Sequence, residues 1–154
     1  MVSLQKMTRE LCHEFYRGFQ NDPAVGHYYA FCYDPAWADA YYDRNQPPQR
    51  QLFAILLGSR IIGECKLKDI DLENHTCRMG IHLLDDSVKN QGYGTRAEGL
   101  LLRHAFEKMD MKTVFADAVL GNSRSRHVLQ KVGFYEIGQD ETFAYYRCDR
   151  ENME

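Results

Sequence analysis

Seven residues, Lys89-Asn90-Gln91-Gly92-Tyr93-Gly94-Thr95, constrain this chain more than any others. They follow an apolar run, Met79-Gly80-Ile81-His82-Leu83-Leu84, and lead into helical spacing from Arg96 to Phe106. A strand that turns through glycines into a helix aims unpaired backbone N–H groups and the positive end of a helix dipole at one point. Such a junction suits phosphate oxygens. Gly92 and Gly94 would let a ligand approach the backbone, and Lys89 would add an exposed, salt-screened point charge beside it. An ordinary loop-to-helix junction has the same local pattern, so the loop alone does not define a site.

Three anion-binding patterns compete for it. The Walker pattern is absent. Gly92 to Ala97 fits the dinucleotide pattern G-x-G-x-x-A, with Asp117 about twenty residues further on. A nicotinamide-binding domain would start at this point, however, and too little chain follows to complete it. The third pattern is decided by a second segment, Gly121 to Phe134, in which Asn122, Ser125, Lys131, Gly133 and Phe134 stand at the positions N-x-x-S followed by K-x-G-F. Together with Lys89–Gly94, read as [QR]-x-x-G-x-[GA] with Lys89 in place of Arg or Gln, this ordered pair resembles the GNAT N-acetyltransferase superfamily. The resemblance runs from about Leu52 to Cys148 and is closest to the branch of ribosomal-protein alanine N-acetyltransferases.

That resemblance implies an α/β chain with a GNAT-like acyl-CoA N-acyltransferase fold, a mixed and mostly antiparallel sheet flanked by helices, in one domain over residues 1–154. It implies acetyl-CoA as cofactor and direct transfer in a ternary complex to a primary amine: a peptide N-terminus, a polyamine or a small amine. The backbone of His82, Leu83 and Leu84 would meet the pantetheine amides. Lys89, Asn90, Gln91, Gly92, Tyr93, Gly94 and Thr95 would hold the pyrophosphate, and Asn122 and Ser125 would form the second cofactor motif. An amide of the Cys77–Leu84 strand would polarise the thioester carbonyl. A homodimer is left open.

The expected catalytic pair is Asp117 and Ser125. Asp117 precedes Asn122 in an apolar strand, where burial would raise its basicity, and a structural role bonded to a backbone group or an arginine stands beside that reading. Glu64 is the second choice of base. Ser125 resembles the serine that points at the cofactor sulfur in the ribosomal-protein branch. The usual tyrosine seven residues after the motif asparagine is replaced by Leu129, which leaves a non-catalytic acyl-CoA-binding or regulatory module as the alternative function.

The rest of the chain fits this frame. A net charge of −3 argues against nucleic-acid binding. No apolar run reaches membrane-spanning length, and five cysteines without a C-x-x-C pair read as reduced, mostly buried thiols of a cytoplasmic protein. The histidines show no metal-ligand spacing. Thr8 predicts a helix N-cap, with Leu11, Phe15 and Phe19 on one face up to Asn21–Pro23, and Asp34-Pro35 starts a second helix. Leu52–Leu57 and Arg60–Leu67 read as a hairpin about Gly58-Ser59, followed by a strand over Cys77–Leu84, a helix over Thr95–Lys108 and a strand over Thr113–Val119. A helix over Ser123–Val132 ends at Gly133, and Phe134–Ile137 with Phe143–Cys148 close the chain as a hairpin. Aromatics and acids from His27 through Asp43, including Trp37 and Tyr41, tilt the acceptor towards a cationic amine, with core packing as the alternative.

Overall fold

A computed structural model describes residues 1–21 and 32–153. The described residues form strands β1 (Val2–Lys6), β2 (Gln51–Leu57), β3 (Arg60–Asp71), β4 (Thr76–Leu83), β5 (Thr113–Val119), β6 (Tyr135–Gln139) and β7 (Phe143–Asp149). The helices are α1 (Arg9–Gly18), α2 (Pro35–Arg44), α3 (Tyr93–Arg103) and α4 (Ser123–Val132). One sheet runs in the order β1-β2-β3-β4-β5-β7-β6, antiparallel at every junction except the parallel pair β4–β5. This is the mixed, mostly antiparallel α/β sheet that the sequence implied. It is not the mostly parallel sheet of a dinucleotide-binding domain, so the match of Gly92–Ala97 to that pattern is coincidental.

Local signals account for most element ends. The Thr8 hydroxyl accepts from the Leu11 N–H, and the Asp34 carboxylate accepts from the Trp37 N–H with Pro35 in the first turn. Gly133 adopts φ 120°, and the N–H groups of Gly133 and Phe134 return to the carbonyls of Gln130 and Leu129, which closes α4 in a way glycine favours.

Three expectations change. β1 was not anticipated: it is a short edge strand with Val2 as its buried residue, too brief for alternation to stand out. Helix α1 stops at Gly18, with Phe19 already extended, before the Asn21–Pro23 stop; Asp22 and Pro23 lie outside the described residues. Helix α3 starts earlier, at Tyr93, and ends at Arg103, where the expected helix continues as a π-helical turn, His104–Lys108, closed by the Met109 N–H on the His104 carbonyl.

The sheet has a core on each face. Helices α3 and α4 cover one, where Leu101, Leu102 and Ala105 are fully buried against Cys65, Leu67 and Met79. Helices α1 and α2 cover the other, where Phe15, Tyr16 and Tyr41 pack on Ala54 and Ile61. Each large aliphatic or aromatic side chain sealed there contributes about 1.5–3 kcal/mol of transfer free energy. Four cysteines, Cys12, Cys65, Cys77 and Cys148, are buried free thiols, and Cys32 is exposed. No described helix is long and apolar enough to cross a membrane.

Candidate active site

The parallel junction is where the sheet opens. β4 and β5 are in register only at Thr76–Thr113, Cys77–Val114 and Arg78–Phe115. Beyond Arg78 they part, while β3 and β7 continue to hold their outer edges. Met79–Leu83 and Ala116–Val119 therefore face each other across a cleft of about 390 Å³. Among the described residues its polar backbone edges lack a strand partner, which is the condition under which an extended, amide-bearing chain can pair with them.

Helix α3 closes one end of this cleft. Gly92 is its N-cap, in the left-handed region at φ 83°, with no side-chain cap bond. A Cβ at Gly92 would meet nothing within 4 Å, so the backbone angle, not crowding, requires glycine. At Gly94 a Cβ would only touch Leu83, 3.6 Å away, and the residue lines the cleft. The first N–H groups of the helix, at Tyr93, Gly94 and Thr95, have no intrahelical acceptor and form an anion seat. The preceding loop is tied by Gln91 Nε2 donating to the Ser87 carbonyl at 2.6 Å and by Arg124 Nε donating to Asn90 Oδ1 at 3.1 Å. Lys89 differs from expectation. Its side chain is 7% exposed and paired with Asp86 at 3.3 Å, because the loop folds a helical turn beneath it; it is a buried cation lining the cleft and not a screened surface charge.

Helix α4 supplies a side wall. Asn122 caps it by accepting the Ser125 N–H at 3.2 Å, which places half-buried Ser125 and buried Leu129 along the cleft. Asp117 also lines it, but a quarter exposed and facing Arg78 Nη1 at 3.3 Å across the point where β4 and β5 separate. The apolar setting expected for Asp117 is thus replaced by an arginine pair.

At the other end stand Tyr16 of α1 and Trp37 and Tyr41 of α2. Trp37 stacks on Tyr41 with centroids 5.0 Å apart, and Tyr16 meets both edge-on. Beneath them, Glu64 of β3 is 1% exposed. Its Oε1 accepts from the Tyr16 and Tyr41 hydroxyls, both at 2.6 Å, and lies 3.2 Å from Nδ1 of His82, its register partner on β4. Burial pushes the Glu64 pKa up, but the His82 hydrogen bond, the nearby Lys66 charge and the Tyr16 donor outweigh it and hold it at about 2. The tyrosines move the other way: burial, then the Glu64 charge, raises both phenols well above their ordinary value. With Nδ1–H assigned to Glu64 by this network, the His82 lone pair sits on Nε2, and the ring lines the cleft. Sequence reasoning placed His82 only as a backbone contact, since its pairing with Glu64 depends on register.

The acids expected near these aromatics are engaged elsewhere. Asp39 binds His13 and Arg9, Asp43 binds Arg9, and Asp34 caps α2, so none of the three lines the cleft. The polar groups on that side of the cleft include Lys66 and Lys68 instead. His27 to Phe31 lie outside the described residues.

An uncapped helix N-terminus, a parted strand edge and flanking cations fit coenzyme A: the anion seat would take its diphosphate and the strand edge its amide-bearing arm. The comparisons agree. The acetyltransferase (GNAT) domain family model matches residues 2–135. "Putative ribosomal N-acetyltransferase YdaF" of Bacillus subtilis (strain 168) is 28% identical over 134 residues, covering 82% of this chain and 73% of that protein. The spermidine N-acetyltransferase from Vibrio cholerae in complex with CoA and spermine aligns with a TM-score of 0.84 at 12% identity, over 98% of this chain and 96% of that one. Aminoglycoside acetyltransferase AAC(6')-Ib in complex with coenzyme A gives 0.84 at 18% identity, over 99% and 96%. At these identities the two solved structures show the fold, and the family model goes further: the chain belongs to the GNAT acetyltransferase family and is an N-acetyltransferase that uses acetyl-CoA.

Proposed function

We propose that the chain acetylates the primary amine of a peptide N-terminus by direct transfer, with His82 as general base and Ser125 as donor to the leaving sulfur. One observation carries the reading: a single cleft runs from the α3 anion seat past Ser125 to the aromatic wall of Tyr16, Trp37 and Tyr41, with His82 between. Bound acetyl-CoA supplies an acetyl thioester. The chain's own residues do the rest. N–H groups on the free edge of β4 are donors for a carbonyl oxygen. Glu64, ionised and buried, fixes the His82 tautomer and steadies the imidazolium once Nε2 has taken the amine's proton. The Ser125 hydroxyl stands on the side wall, where it can donate to a departing thiolate.

The peptide amine is favoured over a polyamine by charge. Lys66 and Lys68 line the acceptor side, so a substrate with several ammonium groups meets repulsion that a single ammonium beside three aromatic rings avoids. The relative named as a ribosomal N-acetyltransferase points the same way. Asp117 is the second candidate base, since it lines the same cleft.

The test is thiol release from acetyl-CoA with a peptide bearing a free N-terminus, the same peptide N-acetylated, spermidine and an aminoglycoside. Turnover with the free peptide and none with the blocked one is expected; faster turnover of spermidine refutes the peptide reading. His82→Ala should lower kcat by about 100-fold or more at unchanged acetyl-CoA affinity, and Ser125→Ala should lower kcat with little change in KM. If Asp117→Asn abolishes the rate while His82→Ala keeps it, the base is Asp117.

A further inference from the structure

Helix α3 carries a group that the proposed chemistry does not use. Glu98 lies one turn past Gly94 on the face of α3 that holds Ala97, Leu101 and Leu102, and it is 2% exposed. It nevertheless lines the cleft, together with Gly94 and Leu129. Its Oε1 is sealed from solvent and has no hydrogen-bond partner among the described residues. A buried polar atom left without a partner is costly, and this side chain borders a binding cleft, so a ligand in the cleft is where the carboxyl group can find its partner.

We propose that Glu98, as the neutral acid, is the hydrogen-bond donor that anchors an amide carbonyl of the coenzyme A arm, and that it links coenzyme A binding to a proton. This rests on the cleft being the cofactor's, as assigned above. A carboxyl in this position has one O–H to give, and an extended chain pairing with the β4 edge brings amide carbonyls past it. The surroundings keep the proton on. Burial raises the Glu98 pKa to about 8. β3 offers only the Cys65 thiol, which feels Glu98 and is itself raised by burial. β1, β4 and α4 present Leu4, Ile81, Leu83, Val128 and Leu129, which are apolar. The cations of the same cleft are Lys89, held by Asp86, Arg124, held by Asn90, and Lys66 and Lys68 on the acceptor side.

An ionised Glu98 has no proton to donate to the arm, so alkali should weaken the complex. A ligand lacking the arm should not sense the change. The experiment is calorimetry of the intact protein with coenzyme A and with adenosine 3′,5′-bisphosphate, which has no arm, for the unchanged chain, Glu98→Gln and Glu98→Met. At about pH 6.5, Glu98→Met should weaken coenzyme A by about tenfold and leave the arm-less probe unchanged, while Glu98→Gln, which still donates, should retain most of the affinity. Near pH 8 the unchanged chain should take up a proton on binding coenzyme A, seen as a buffer-dependent enthalpy, and Glu98→Gln should take up less. Equal affinity of Glu98→Met and the unchanged chain overturns the proposal, as does equal weakening of both probes or undiminished proton uptake in Glu98→Gln. Thermal melts of both variants verify the fold. Failure of the unchanged chain to bind coenzyme A would instead overturn the assignment of the cleft.

Discussion

Two carboxyl groups, both fully buried, sit on either side of the same sheet and titrate in opposite directions. Glu64 has two phenol donors and a histidine and is held near 2; Glu98 has burial alone and rises to about 8. Their effects on stability fall in separate pH windows. For Glu98 the folded value lies above the unfolded one, so its share of stability is present below about pH 4.5 and lost as pH rises through about 8. Glu64 has the depressed value, so its share is present above about pH 4.5 and lost as pH falls towards 2. Replacing Glu98 with methionine, which fills an apolar gap without a polar atom, should therefore stabilise the unliganded fold near pH 8 by on the order of 3 kcal/mol and much less at pH 5. Urea unfolding at the two pH values measures this, and equal gains at both would show that ionisation is not the cost. A function-bearing residue that weakens the fold is the usual trade at a binding site.

At the scale of elements, the β4–α3 junction depends on one backbone angle. Gly92 at φ 83° lets the chain turn from the Lys89–Gln91 loop into α3 with its first amides uncapped. A β-branched residue there costs about 1–3 kcal/mol of strain, which the loop would relieve by turning those amides away. Gly92→Val should accordingly weaken coenzyme A by more than about tenfold, with a smaller loss of global stability, because a loop can move without opening the core. Calorimetry with unchanged affinity would refute α3 as the anion seat. The glycine was legible in the sequence because strand, loop and helix are contiguous there. The state of Lys89 was not: its burial depends on the turn at Asp86–Val88 folding back under it.

Across the whole molecule, the decisive feature is the loss of pairing between β4 and β5 after three residue pairs. Among the described residues, the β5-facing edge of β4 from Met79 to Leu83 has no strand partner, whereas the other edge is in a ladder with β3 that runs to Leu83. If the cofactor arm fills the gap, hydrogen exchange of β4 over Met79–Leu83 should slow on adding coenzyme A, with β2 and β7 little changed. Absence of protection in β4, with the α3 loop protected, would place the arm outside the sheet.

The helix caps at Thr8, Asp34 and Asn122, the glycine stop at Gly133, the hairpin about Gly58 and the two cofactor motifs were determined by residues close together in the chain, so the sequence by itself determined them. Family membership followed from those motifs. The edge strand β1 was hidden because five residues with one buried position carry almost no periodicity. An acid on the apolar face of α3 was a readable sign of Glu98, but whether its oxygen has a partner depends on what β3, β4 and α4 bring to it. The same holds for the pairing of Asp117 with Arg78, and of Glu64 with His82 and two tyrosines from other elements. These pairings unite residues distant in the chain, and only strand register and helix docking set their distances, so the tertiary structure alone decided which acid stays neutral, which stays charged and which lies open to the cleft.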